Sequence, residues 1–189
     1  MNNETVGISA EVAIANVFGV KINQEYAERA DEEITELLEQ DLDDIFENEG
    51  IPLPIEHVAE EQNPVDFVLG DSSTLSVKTN QKRLGKVAPQ IIGQPTAQTY
   101  FEYFDDFIDF EVPETYEEKI NLFKQISINK IETVIEHYWN NLFECEHLLY
   151  FFDIIDRNGD IKENYKYIYV KRPANSPNWN EMKFKFTKT

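Results

Sequence analysis

Two charged residues stand where the surrounding pattern calls for apolar ones. In Pro-Val-Asp-Phe-Val-Leu-Gly-Asp-Ser-Ser-Thr-Leu-Ser-Val-Lys-Thr-Asn, residues 64–80, Asp66 and Lys78 lie in two β-rich runs. Burying a charge costs several kcal/mol unless it is paired or binds an ion. Either the two charges satisfy each other, or a third party sits between them. An acid on one strand and a lysine on the next can support metal-dependent phosphodiester cleavage. Asp66 can bind a hard cation such as Mg2+, the Val77 carbonyl is a further oxygen ligand, and Lys78 can hold the attacking water and face the phosphate charge. On these two residues alone, an ordinary cross-strand salt bridge accounts for the pair equally well.

Positioning such a pair requires two adjacent strands. Strands are expected around 65–69 and 74–79, joined by Gly-Asp-Ser-Ser; Ser76 and Lys78 then share one face while Leu75 and Val77 share the other. Upstream, residues 7–18 read as a helix with Ser9 as N-cap and Gly19 as stop. Residues 23–48 read as one amphipathic helix with Ile34, Leu37, Leu38, Leu42, Ile45 and Phe46 on its apolar face. Downstream, residues 81–98 are polar and basic and broken by Gly and Pro, and residues 100–110 are aromatic, acidic and expected to be helical. A long helix is expected over 114–141 and a strand over 147–155. A turn at Asn158-Gly159 leads into a returning strand over 165–171, and a last strand is expected around 182–186. The Asp156–Asn158–Asp160 spacing lacks the Gly and Glu of a calcium loop. The order of elements implies an α/β or α+β domain with one mixed central sheet flanked by helices. One domain over residues 1–189 is expected, with a chain that stops without a closing turn and so is read as a candidate for truncation at its C-terminus.

The charge distribution bears on partners. The chain carries 36 acids and 17 bases, a net charge of −19, which as a sum opposes binding to phosphate. Residues 21–61 hold 15 acids and two bases, most simply the solvated face of a helix. Residues 72–99 hold no acid and four bases, Lys78, Lys82, Arg83 and Lys86, and residues 161–189 hold seven bases and two acids. A polyanion therefore finds two basic patches on an acidic body. No apolar run is long enough for a membrane span and no signal peptide is evident, so a cytoplasmic protein is expected. The lone Cys145 has no motif around it, and His57, His137 and His147 have no metal-ligand spacing and are expected to be surface or structural.

The sequence resembles the PD-(D/E)xK nuclease superfamily, with Pro64-Val65-Asp66 as the first half of the motif and Ser76-Val77-Lys78 as the second. LSVKTNQKRLGKVAPQIIGQPT, residues 75–96, is similar to a stretch of type II restriction endonucleases, and GISAEVAIANVFGV is similar to the helix that precedes the motif in them. The resemblance covers roughly residues 5–100. It implies a restriction-endonuclease-like core and Mg2+-dependent cleavage of double-stranded DNA at a short site. It also implies a homodimer and a DNA methyltransferase partner in the same system. Asp66, the Val77 carbonyl and Glu11, which matches an auxiliary acid, are the implied metal ligands, and Lys78 is the implied catalytic base or water-holding group. The sequence departs from the motif at Ser76, where the family carries its second acid; Glu11 is the candidate replacement, with Gln90 and the Glu60–Glu61 pair as alternatives. Asn80, Gln81, Lys82, Arg83, Lys86, Gln90 and Gln94 are candidates for phosphate and base contact. Two rival readings stand beside this one: a repair or recombination nuclease of the same fold, and a non-catalytic acidic interaction protein.

Overall fold

The computed structural model describes residues 2–59, 63–81, 111–156 and 158–183. Helix α1, Asn3–Phe18, is opened by Asn2, whose side chain accepts the Thr5 N–H at 2.7 Å. It is closed by Gly19 at φ 67°, a left-handed conformation that a Cβ disfavours. Ser9, expected to cap this helix, lies buried within it instead. Its hydroxyl donates to the Thr5 carbonyl and accepts the Asp31 N–H, each at 2.8 Å.

The single helix expected over 23–48 is three: α2, Gln24–Ala27, α3, Glu32–Glu39, and α4, Leu42–Glu49. The break before α3 is an N-cap, with the Asp31 carboxylate accepting the Ile34 N–H at 3.1 Å. The apolar stripe was read correctly even so. Ile34, Leu37, Leu38, Leu42, Ile45 and Phe46 are all buried.

Five strands form one mixed sheet in the order β1-β2-β3-β4-β5: β1, Pro54–His57; β2, Phe67–Leu69; β3, Thr74–Asn80; β4, His147–Phe152; and β5, Lys166–Lys171. The β3–β4 pair is parallel and the other three are antiparallel. Strand β1 was not expected from the sequence. It is an edge strand that begins with proline, whose missing N–H an edge tolerates. Phe67, Leu69, Leu75, Val77, Leu149 and Phe151 form one core with Val6, Ala10, Ile14, Ile34 and Leu38 from the helices. The alternate residues of β3, Ser76 and Lys78, point to the other face. The architecture is thus mixed α/β, a central mixed sheet with helices against it.

The chain divides into two compact units, Met1–Val87 with Phe143–Arg172, and Ala88–Leu142 with Pro173–Thr189. The first holds the sheet. In the second, the helix expected over 114–141 is interrupted at Lys130 (φ −127°, ψ 35°), giving α5, Tyr116–Asn129, and α6, Ile131–Leu142. Ile126 and Val134 form a small core there, and Trp139 meets Trp179 edge-on at 5.6 Å, next to a 3-10 turn at Trp179–Glu181. The expected helix over 100–110 and most of the expected last strand lie outside the described residues. No helix among the described residues is long and apolar enough to cross a membrane.

The turn after β4 is held by Asp156, whose Oδ1 accepts the N–H groups of Asn158, Gly159 and Asp160 at 2.7, 2.9 and 3.0 Å. These bonds make the acid-rich loop an Asx turn.

Candidate functional site

Asp66 stands one residue before the paired Phe67 and Leu75, across from Ser76 on β3. Its N–H donates to the Leu75 carbonyl at 3.0 Å, so the strand pairing itself fixes its backbone. The carboxylate is 2% exposed. Its Oδ2 accepts the Val77 N–H at 2.5 Å and the Ser76 hydroxyl at 3.1 Å, and lies 3.7 Å from the Lys78 ammonium. Burial, the largest influence, raises the Asp66 carboxyl to about 6. Lys78 pulls it down, Glu11 pushes it up, and the Val77 N–H and Ser76 hydroxyl pull it down again.

Glu11 projects from the middle of α1 and is buried, not the exposed first-turn acid that a glutamate near a helix start usually is. Its Oε2 accepts the Tyr26 hydroxyl at 2.7 Å and lies 2.9 Å from His57 Nε2. The Tyr26 phenol is held well above its ordinary range, first by burial and then by the charges of Glu11 and Asp66. Glu11, Tyr26 and Asp66 thus lie within electrostatic reach of one another.

The structure therefore brings together four residues singled out in the sequence, Asp66, Ser76, Val77 and Lys78, and the charge of a fifth, Glu11, is felt at Asp66. Asn80 ends β3, and Gln81 follows with its carbonyl accepting the Ile155 N–H at 2.7 Å. Lys82, Arg83, Lys86, Gln90 and Gln94 lie outside the described residues, as do Glu60 and Glu61. Sequence reasoning missed Tyr26; of the surface and structural roles it allowed His57, the structure shows the structural one, with the side chain 2% exposed against Glu11.

Whether these residues suit a divalent cation can be tested on the donor set. Among the described residues no three His, Cys, Asp or Glu side chains are grouped to hold a metal. Mg2+ does not need three; it binds through one or two carboxylates and fills its remaining positions with water and phosphate oxygens. Asp66 and Glu11 suit that requirement. Among the described residues, the hydrogen bonds to each carboxylate fall on one oxygen, Oδ2 or Oε2.

The chain is similar to a type II restriction enzyme. It is 38% identical over 79 residues to the type II restriction enzyme CviAII of Paramecium bursaria Chlorella virus 1. The match takes in 42% of this chain and 21% of that enzyme, so the chain matches about a fifth of its relative's length. No family model matches the chain. No solved structure matches it either.

Proposed function

We propose that the chain is a nuclease with the PD-(D/E)xK core, and more narrowly a type II restriction endonuclease or its catalytic portion. The observation that carries this reading is the buried Asp66 immediately before β2, 3.7 Å from the half-buried Lys78 of β3, with the charge of Glu11 felt at Asp66. A second buried carboxylate within electrostatic reach is something a cation site can use and an ordinary salt bridge does not need.

In this reading Asp66, Glu11 and the Val77 carbonyl hold Mg2+. The N–H and C=O of one residue in an extended strand face the same neighbour, so Val77, with its N–H on Asp66, turns its carbonyl to that side. Bound there, the ion supplies Lewis acidity toward a phosphate oxygen and lowers the pKa of water. Lys78 donates a hydrogen bond that orients the attacking water and places a fixed positive charge against the phosphate as negative charge builds on it. Ser76 is not a ligand in this scheme. Its hydroxyl holds Asp66 Oδ2, which orients the carboxylate and favours its ionised form. The substrate is double-stranded DNA gripped by residues 80–94. A second copy of the chain serves the other strand, and a DNA methyltransferase protects the host sequence.

Digestion of a sequenced, unmethylated plasmid with and without Mg2+ tests the reading. Discrete bands that need Mg2+ are expected. A smear, or cutting only at structured or damaged DNA, supports a repair nuclease of the same fold. No cleavage and no duplex binding at low salt supports an acidic interaction protein.

A further inference from the structure

Glu11 is held by groups from two other elements. Tyr26 on α2 and His57 at the end of β1 both reach Oε2, at 2.7 and 2.9 Å. An ionised carboxylate only accepts hydrogen bonds, so His57 presents Nε2–H to it. The imidazole is fixed in turn, tilted against the Tyr26 ring at 5.2 Å and edge-on to Phe67 at 5.1 Å. Phe67 is the residue next to Asp66, so one packed row of rings links the orientation of Glu11 to that of the strand bearing Asp66. Helix α2 has only four residues and buries none of them fully; Tyr26 is held there by Glu11 and His57 and by the Arg29 guanidinium over its ring at 5.7 Å.

We propose that Tyr26 and His57 are positioning residues that clasp Glu11 through Oε2 and leave Oε1 to serve as the second carboxylate ligand of the cation site. The proposal rests on the reading of Asp66 and Glu11 as that site. It adds that the carboxylate lost at Ser76 is replaced by a clasped one from another layer of the fold. Partners that orient a metal ligand typically change metal affinity by ten-fold or more when removed. A clasp that served only to bury Glu11 would leave metal affinity unmoved.

The test is a titration of the full chain with Mn2+, a paramagnetic substitute for Mg2+, following the free-ion resonance without DNA, alongside melting temperature. Asp66→Asn and Glu11→Gln are expected to lose most Mn2+ binding. Tyr26→Phe and His57→Phe are expected to weaken it by about ten-fold each, whereas His57→Gln, which keeps an N–H donor, recovers most of the loss. In the Glu11→Gln background, Tyr26→Phe should have little further effect. Wild-type affinity in both Tyr26→Phe and His57→Phe, with Asp66→Asn impaired, overturns the clasp and leaves the cation site standing. An equal loss from Tyr26→Phe with or without Glu11 also overturns it. If the wild-type chain binds no Mn2+, or Asp66→Asn binds it normally, the site itself fails and the clasp with it. Tyr26→Phe removes one hydroxyl and carries the test alone if the His57 variants do not fold.

Discussion

Asp66 holds its proton more tightly folded than unfolded, its carboxyl rising from 3.8 to about 6. Between those values the native chain binds more protons than the unfolded one, so this residue's contribution to stability falls as pH rises through the window. A cation competes with that proton. Mg2+ is therefore expected to raise the melting temperature at about pH 7.5 and to do much less at about pH 5. Equal shifts at both values would place the ion elsewhere. Lys78 sits 3.7 Å from the same carboxylate and supports its charge. Lys78→Ala is expected to abolish plasmid cleavage while keeping the fold and most DNA affinity, because Asp66 can take up a proton when its partner is gone. Activity, gel-shift and melting measurements together decide this, and wild-type cleavage by the variant would remove the proposed site.

Strands β4 and β5 carry a second buried titratable group. His147, 4% exposed, has Nδ1 within 2.7 Å of the Tyr169 hydroxyl and stacks on that ring. Burial, chiefly, and Lys171 lower its pKa from the ordinary 6.5, while Asp71 and Glu146 oppose them. Below 6.5 the unfolded chain takes up the proton first, so the stability this residue provides is whole above that pH and is lost as pH falls. The melting temperature of wild type is expected to fall more steeply from about pH 7.5 to about pH 5.5 than that of His147→Phe; parallel curves would exclude the histidine. The elements that could be read from sequence are those with a local signal. Apolar alternation gave β3, and Gly19 gave the end of α1. The breaks at Gln40–Asp41 and Lys130 were hidden because apolar spacing continues across them. Edge strand β1 was hidden because it is only four residues long and opens with proline in a Gly-Ile-Pro-Leu-Pro stretch that reads as a turn. Asp66 and Lys78 were legible as charges out of place, but the Glu11–Tyr26–His57 cluster joins residues up to 46 positions apart, and no spacing rule reaches that far.

At the scale of the whole molecule, an acidic chain that binds a polyanion would do so through few bases. If residues 72–99 grip phosphates, duplex affinity falls steeply with salt, and the triple change Lys82→Ala, Arg83→Ala, Lys86→Ala should flatten that dependence. Affinities at several salt concentrations measure it; an unchanged slope would assign the contacts to the basic residues after 161. The parallel pairing of β3 with β4 joins Leu75 to His147 across everything in residues 81–146. Closing so long a loop delays the pairing, since its entropy must be spent before the contacts reward it. Glu11, Asp66 and Lys78 leave the ribosome early, but β3 gains its inner neighbour only when β4 emerges, and β4 is completed only by β5. A chain stalled or cleaved before β4 therefore contains every proposed catalytic side chain, but with β3 unpaired along the edge that β4 covers.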